Sequence, residues 1–338
     1  MQQHILVTGG AGYIGAHTLV ELINAGYRVT AIDTLERSEF RIIEGVERII
    51  SKKIDFHQID CLDAVALNSV FERNTFSSVI HFAAYKSVNE SVEKPLRYYK
   101  NNVGSLMTLL EVMKRNKIRD LIFSSSCTVY GQPDQIPVDE SAPFKKAESP
   151  YGQTKQICEQ ILENVISEGF RIVSLRYFNP IGAHPSAEIG ELPIGSPNNL
   201  VPYVTQTAAG VREKLVVFGN DYDTPDGSCI RDFIHVSDVA IAHVKALEFL
   251  INRTEASLFD AFNLGTGVGV SVLELVNKFI QVTGMKLPYI IGPRRPGDVE
   301  KVFANPQRIN QAFGWRTKYT LEESLLHAWN WEKKIRNR

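Results

Sequence analysis

The run ILVTGGAGYIG at residues 5–15 narrows the fold more than any other feature of the chain. In it, Gly9, Gly12 and Gly15 recur at intervals of three, directly after an apolar strand and at the opening of an amphipathic helix. Gly9 suits a tight turn, Gly12 lets backbone approach a pyrophosphate, and Gly15 lets helix and strand pack closely. The helix N-terminus adds free N–H donors and the positive end of a dipole. A glycine triplet alone is weak evidence, so its surroundings matter. Candidate strands at Ile5–Thr8, Val29–Asp33, Asp55–Ile59, Val79–Ala83, Leu121–Ser125 and Ile172–Tyr177 alternate with helical patterns. In residues 14–25, for example, Ile14, Thr18, Leu19, Leu22 and Ile23 share one face. Strands covered on both sides read as near-continuous apolar runs, as HILVTG and SVIHFAA do here. Repeated βαβα alternation of that kind implies an α/β fold with a doubly wound parallel sheet.

Asp33 ends the second strand, eighteen residues beyond Gly15. A carboxylate there accepts hydrogen bonds from an adenosine ribose 2′-OH and repels a 2′-phosphate, so the pattern selects NAD on a Rossmann-type sheet. Arg37 is near enough to argue for NADP, but the strand-end Asp33 outweighs it. The rhythm changes after residue 178, where 179–233 is rich in Pro, Gly, Asn and Asp. Tyr203, Phe218, Arg231 and Phe233 interleaved there favour a folded, ligand-facing segment over a disordered one. Helices are expected at Val236–Leu250, Ser271–Thr283 and Leu321–Lys333, with a strand at Leu287–Ile291. The expected organisation is an NAD-binding domain over 1–178, with 236–264 able to complete its sheet. A smaller lobe over 179–338 would bind substrate, with a cleft between the two.

Composition excludes several classes of function. The formal charge is -1, with no basic excess for nucleic acid or anionic lipid. No apolar run approaches the ~18 residues of a membrane span. The four cysteines are scattered and the eight histidines show no HxxxH or HxH spacing, so no metal site is legible. Only Met1 to His4 precede the first strand, which leaves no room for a signal peptide. A reduced, cytoplasmic protein is the expectation.

SPYGQTK places Tyr151 and Lys155 four residues apart, on one face of a helix that Pro150 can start. Such pairs are common by chance. What raises this one is FSSSCTVYG, which puts Ser126 at the carboxyl end of the fifth strand, where sheets of this kind bind ligands. A phenolate base at neutral pH needs a shift of about three units from the usual Tyr value, or roughly 4 kcal/mol. The Lys155 ammonium and a cationic nicotinamide ring can supply it together. Ser126 would hydrogen-bond the reacting sugar hydroxyl. His81, inside an apolar strand, reads as a satisfied core histidine.

Together, Thr8, Gly9, Gly12 and Gly15 with Ser126 and Tyr151-x-x-x-Lys155 resemble the extended short-chain dehydrogenase/reductases. More narrowly, TGGAGYIG, HFAAYKSVNESVEKP, FSSSCTVYG, SPYGQTK, LRYFNPIGAHPS, PNNLVPYV, CIRDFIHV and RRPGD resemble the UDP-glucose 4-epimerase family. The ordered set runs from Ile5 to about Trp331 and is specific where the glycine motif alone is not. The resemblance implies an isomerase with NAD bound throughout its cycle. C4 of a UDP-hexose would be oxidised to a 4-keto sugar, which swings about its phosphate linkage and is reduced on the other face. By motif position, Tyr13, Ile14, Asp33, Asp60, Cys61, Phe82, Ala83, Ala84, Lys86, Asn101, Tyr177 and Phe178 would line the NAD site. The UDP-sugar contacts would fall on Asn179, Asn199, Leu200, Val216, Phe218, Arg231, Arg295 and Asp298. Val302, four places beyond Asp298, would stand at the sugar end of the site, where bulk excludes an N-acetyl group. A homodimer built from helices around Leu96–Lys114 and Gln153–Glu168 is also implied.

The residue types suit these roles. Arg231 and Arg295 can each fork onto diphosphate oxygens, and Phe218 and Phe233 can flank a uracil ring. Taken alone, Arg231 would pair with its neighbour Asp232 and Lys86 would be solvated; their motifs point instead to ligand. Two rival functions are a nucleotide-sugar 4,6-dehydratase and a non-catalytic NAD-binding redox sensor. The dehydratase needs an Asp–Glu pair where this chain has Cys127 and Thr128. The sensor has no use for Ser126, Tyr151 and Lys155 in register with a UDP pocket.

Overall fold

The computed structural model describes residues 2–295 and 298–336. The first part of the chain alternates β1 (His4–Thr8), α1 (Tyr13–Asn24), β2 (Arg28–Asp33), α2 (Phe40–Ile50), β3 (Asp55–Gln58), α3 (Ala64–Glu72) and β4 (Ser78–His81). Next come α4 (Val88–Glu93), α5 (Pro95–Tyr98), a π-helical turn at Tyr99–Val103, α6 (Gly104–Arg115), β5 (Asp120–Ser126), α7 (Pro150–Val165) and β6 (Arg171–Tyr177). Beyond these lie β7 (Asn179–Ile181), α8 (Leu200–Ala208), β8 (Leu215–Phe218), β9 (Ile230–Arg231), β10 (Phe233–His235), α9 (Val236–Ile251) and β11 (Leu258–Leu264). The chain ends with β12 (Val270–Ser271), α10 (Val272–Thr283), β13 (Tyr289–Gly292), β14 (Lys301–Val302), α11 (Gln307–Phe313) and α12 (Leu321–Arg336).

Seven strands form one parallel sheet in the order β11-β6-β5-β4-β1-β2-β3. The parallel sheet expected from the apolar runs is therefore present. Alternation along β1 shows why such runs belong in its interior. Ile5 and Val7 enter a core with α1, α2 and α9, while Leu6 enters a second core with α3, α6 and α7. Strand order reverses between β1 and β4, which opens a crevice at their carboxyl ends. Among the described residues, no helix is long and apolar enough to cross a membrane.

The stretch 179–233 is more ordered than its composition suggests. It holds α8, whose Pro202 sits in the first turn where a missing N–H is tolerated. Its short strands pair largely with later chain: β8 with β13, and β9 with both β12 and β14. Periodicity within the segment could not reveal such partners. The strand expected at Leu287–Ile291 is found at Tyr289–Gly292.

One buried carboxylate anchors this part of the molecule. Asp232, between β9 and β10, accepts hydrogen bonds from the Thr266 N–H (2.8 Å), the Gly267 N–H (3.0 Å) and the Ala304 N–H (3.1 Å). Those donors follow β11 and β14, so Asp232 fixes both to the strand that carries Arg231.

Candidate active site

The turn after β1 leaves no room for side chains. A Cβ on Gly9 would meet the Ala83 nitrogen at 2.8 Å, and one on Gly15 would stand 2.2 Å from the Gly9 carbonyl oxygen. Gly9 also has φ +69°, a conformation open to glycine at no steric cost. A Cβ on Gly12 would meet that same oxygen at 3.0 Å. Gly12 is the N-cap of α1, and no side chain caps this end of the helix. The first N–H groups of α1, from Tyr13 and Ile14 onward, thus face the crevice without a side-chain acceptor. A cradle that a Cβ would fill, at an uncapped helix start, fits a dinucleotide pyrophosphate.

Asp33 borders this cradle. Its carboxylate accepts from the Ala11 N–H (3.1 Å), the Leu35 N–H (2.9 Å) and the Ser38 hydroxyl (3.0 Å). Burial pushes its carboxyl up, against the pull of those donors. Arg37, the cation that argued for NADP, instead pairs with Glu90 at 2.6 Å. Cys61 is buried beside Asp60, Asp33 and Thr8, and burial pushes its thiol up to about 12. Across the crevice, Phe82, Ala83 and Ala84 follow β4, and the Phe82 ring lies 4.7 Å from that of His243.

Ser126 ends β5 and pairs in register with Tyr177 of β6. Its Oγ accepts from the Thr128 N–H (3.2 Å), which caps a short 3-10 turn at Cys127–Tyr130. Helix α7 starts with Ser149 as N-cap and Pro150 in the first turn, and it delivers Tyr151 and Lys155 beneath that strand end. The Tyr151 phenol lies near the Ser126 hydroxyl; burial pushes it well above the usual Tyr value, and that neighbour only partly offsets the rise. Lys155 is buried and donates to the Ser124 carbonyl at 2.6 Å, with its Nζ 4.8 Å from the Phe123 ring centre. Burial lowers its ammonium to about 8. The protein alone therefore leaves both groups protonated near neutral pH. Lys155 is engaged by a backbone carbonyl, so a phenolate requires further positive charge at the site.

The remaining candidates fall into two groups. Arg231 and Arg295 converge on one carboxylate. Asp298 accepts from Arg295 at 2.5 Å and pairs with Arg231 at 3.6 Å. Arg231 thus does not pair with its neighbour Asp232. The Arg295 guanidinium also stands 5.7 Å from the Phe218 ring, which is 42% exposed and adjoins Val216 on β8. Pro296 and Gly297 of the RRPGD run lie outside the described residues. In the second group, Glu191 accepts from Lys86 and from Asn199, both at 2.6 Å, next to Leu200 at the start of α8. Asn179 opens β7 and donates its N–H to the Asp232 carbonyl (2.9 Å).

Phe233 does not flank this cleft. It is buried in the core with Val201, Val204 and Leu275, because β10 alternates and turns Ile234 to the opposite core. His81 is satisfied by the Thr8 hydroxyl at 2.7 Å. Val302 lies on β14 opposite Arg231 and is 7% exposed, in a cluster with Val129, Tyr130, Phe178 and Ala304 against which Cys127 packs.

Several site neighbours were not legible in the sequence. Asn102 sits with Asn101 in the π-helical turn, a distortion often found at functional sites. Its side-chain carbonyl accepts from the Tyr85 N–H (2.8 Å), and its amide donates to the Thr154 hydroxyl (3.1 Å), joining the chain after β4 to α7. His243 of α9 hydrogen-bonds the Tyr177 hydroxyl at 2.6 Å. Glu191 gave no signal because nothing in its own stretch marks it and its partner Lys86 lies far away in sequence.

Comparison with known proteins places this geometry. A family model described as GDP-mannose 4,6 dehydratase matches residues 6–327. A UDP-glucose 4-epimerase of Bacillus subtilis is 49% identical, over 97% of this chain and 96% of its own. The crystal structure of a UDP-glucose 4-epimerase from Stenotrophomonas maltophila with bound NAD and formylated UDP-arabinopyranose superposes with a TM-score of 0.96, at 42% identity and 99% coverage of both chains. That of the UDP-glucose 4-epimerase from Bifidobacterium longum in complex with NAD+ and UDP gives 0.95, also at 42% identity and 99% coverage.

The histidines behind the site dictate how the fold responds to acid. Burial depresses His17 and His81 to about 3 and His243 to about 4. An unfolded chain takes up these protons near pH 6.5, whereas the folded one does not. Stability is therefore complete above that value and falls as pH drops towards 4, each group costing up to about 1.4 kcal/mol per pH unit. Guanidinium unfolding should show a markedly lower midpoint at pH 5 than at pH 7. Equal midpoints would mean that these rings are solvated or already protonated.

Proposed function

The chain belongs to the UDP-glucose 4-epimerase family, and from that premise we propose that Ser126, Tyr151 and Lys155 carry the proton transfers by which it interconverts UDP-glucose and UDP-galactose. The observation that most supports these roles is the bond from Lys155, one turn after Tyr151 on α7, to the Ser124 carbonyl, which holds that helix face against the end of β5 where Ser126 lies, beside the glycine cradle. NAD, when bound, supplies a reversible hydride acceptor and a positive ring charge. Tyr13, Ile14 and the glycines would hold its pyrophosphate, Asp33 its adenosine ribose, and Asp60, Cys61, Phe82, Ala83, Ala84, Lys86, Asn101, Tyr177 and Phe178 the rest of its length.

In this reading the Tyr151 oxygen takes the C4 hydroxyl proton, with Ser126 bridging the two, as C4 gives up its hydride. Lys155 favours the phenolate and fixes its orientation. The 4-keto sugar turns about its phosphate linkage, and Tyr151 returns the proton once hydride has been restored to the opposite face. Arg231 and Arg295 would hold the diphosphate, with Asp298 beside them as a further UDP-sugar contact, and Phe218 would cover the uracil. Asn179, Asn199, Leu200 and Val216 would complete that cleft. Tyr151→Phe should lower turnover by at least about 10²-fold while UDP binding persists. A variant with a third of wild-type turnover would remove Tyr151 from the mechanism.

The sugar pocket, we propose, also accepts an N-acetyl group at C2. Val302 offers no aromatic ring or phenol, and its neighbours Cys127 and Phe178 directly follow Ser126 and Tyr177. Absence of bulk permits a larger substrate without adding contacts, so dual use is expected rather than a switch. Val302→Tyr should suppress turnover of UDP-N-acetylglucosamine and spare UDP-glucose. Equal loss on both would make Val302 a packing residue, because overpacking a core harms every substrate alike.

We also propose a homodimer through α6 and α7. Tyr99, Val103, Met107 and Ile157, with Leu62, line a groove of about 470 Å³ between these helices, and Leu96 nearby is 81% exposed. A second copy of the same face would cover this apolar surface. Sedimentation should give twice the chain mass, and Met107→Glu should return it to one; a monomeric wild type would refute the interface. The four cysteines are unpaired thiols, which supports the reducing cytoplasm as its compartment.

A further inference from the structure

Helix α7 carries one more charged group along the face that presents Tyr151 and Lys155. Glu159 follows Lys155 by four residues, as Lys155 follows Tyr151, so the three lie in one stripe. The Glu159 carboxylate is fully buried. It accepts from the Ser125 hydroxyl of β5 at 2.5 Å and from the Ser174 hydroxyl of β6 at 2.9 Å. Arg176 of β6 donates to it through Nε at 3.1 Å and Nη2 at 2.6 Å. On its far side Arg176 donates to the Tyr130 hydroxyl (2.9 Å) and lies between the Tyr130 and Phe144 rings. The two charges are fully satisfied, yet a buried pair is weak evidence for stability, since apolar replacements are often as stable. Its position suggests a different role. Ser125 lies between Ser124, whose carbonyl receives Lys155, and Ser126, which lies near Tyr151.

We propose that Glu159 is a positioning residue for the proton-transfer pair: locked to β5 and β6, it sets where α7 stands along the sheet and supplies the negative charge beside Lys155. The inference rests on the Tyr151–Lys155 reading above. The titratable groups facing Lys155 are Tyr151, Cys158 and Glu159 on α7 and His81 on β4, while Tyr177 on β6 and Tyr98 on α5 flank Tyr151. His81 is kept neutral by burial, the Cys158 thiol is pushed up to about 11, and burial raises the three tyrosines. Glu159 is the carboxylate of this set, and Arg176 pairs with it from behind. Its field works against the desolvation that lowers Lys155.

The test is the pH dependence of kcat/KM for UDP-galactose in the NAD-loaded enzyme. Activity that needs the Lys155 ammonium falls as pH rises through its folded pKa. Loss of the neighbouring negative charge lowers that pKa, so Glu159→Gln should move the alkaline limb roughly one unit to lower pH. Ser174→Ala removes one hydrogen bond but keeps the charge, and its limb should stay with wild type. If Glu159→Gln does not fold, the double variant Glu159→Gln/Arg176→Met removes both charges and should move the limb in the same direction by a smaller amount, because Arg176 stands farther from Lys155. An unmoved limb in the folded variant, with activity reduced evenly at all pH values, overturns the proposal. Failure of the Tyr151 assignment is distinct, because it shows as turnover retained in Tyr151→Phe.

Discussion

Helix α1 can rest against the sheet only because Gly9, Gly10, Gly12 and Gly15 in and beside its leading turn carry no side chain. With the Gly9 carbonyl 2.2 Å from where a Gly15 Cβ would sit, any other residue at 15 would push the helix away. The same turn touches the backbone after β4, so the ends of β1 and β4 and the start of α1 converge where strand order reverses. Asp33 closes the arrangement by accepting the Ala11 N–H from across β2. Two motifs that look separate in the sequence, a glycine run and a strand-end acid, are therefore joined by a hydrogen bond.

The opposite wall of the cleft depends on a second constraint. Asp232 binds backbone donors that follow β11 and β14, and so holds the short β9 with Arg231 against the main body. A buried carboxylate with that many donors is costly to desolvate and costly to disturb. The cations on this wall are already matched. Arg231 and Arg295 share Asp298, and Lys86 reaches Glu191.

The chemistry is set by how little the protein does by itself. Tyr151 and Lys155 are both buried, and burial opposes the charged form of each. A phenol raised by desolvation and an ammonium lowered by it both stay protonated until further positive charge arrives. If Tyr151 is the base, as proposed, proton removal follows occupation of the cofactor site.

What could be read from the sequence was local and periodic. Strand alternation, three-residue glycine spacing, the place of Asp33 and the four-residue step from Tyr151 to Lys155 are all written within one element or one turn, where backbone geometry converts spacing into direction. Those features determined the parallel sheet and its crevice. The short strands β8 and β9 of 179–233 were not visible, because each completes itself with a partner in later chain. Chemical suitability alone also misled at Phe233, an aromatic apt for a base but turned into the core by the alternation of β10. Tertiary structure alone decided that Arg231 pairs with Asp298 rather than Asp232, that Glu191 gathers Lys86 and Asn199, and that the π-helical turn puts Asn102 between two elements of the site. These choices depend on distance through space, mostly between residues far apart in the chain, and no local repeat records it.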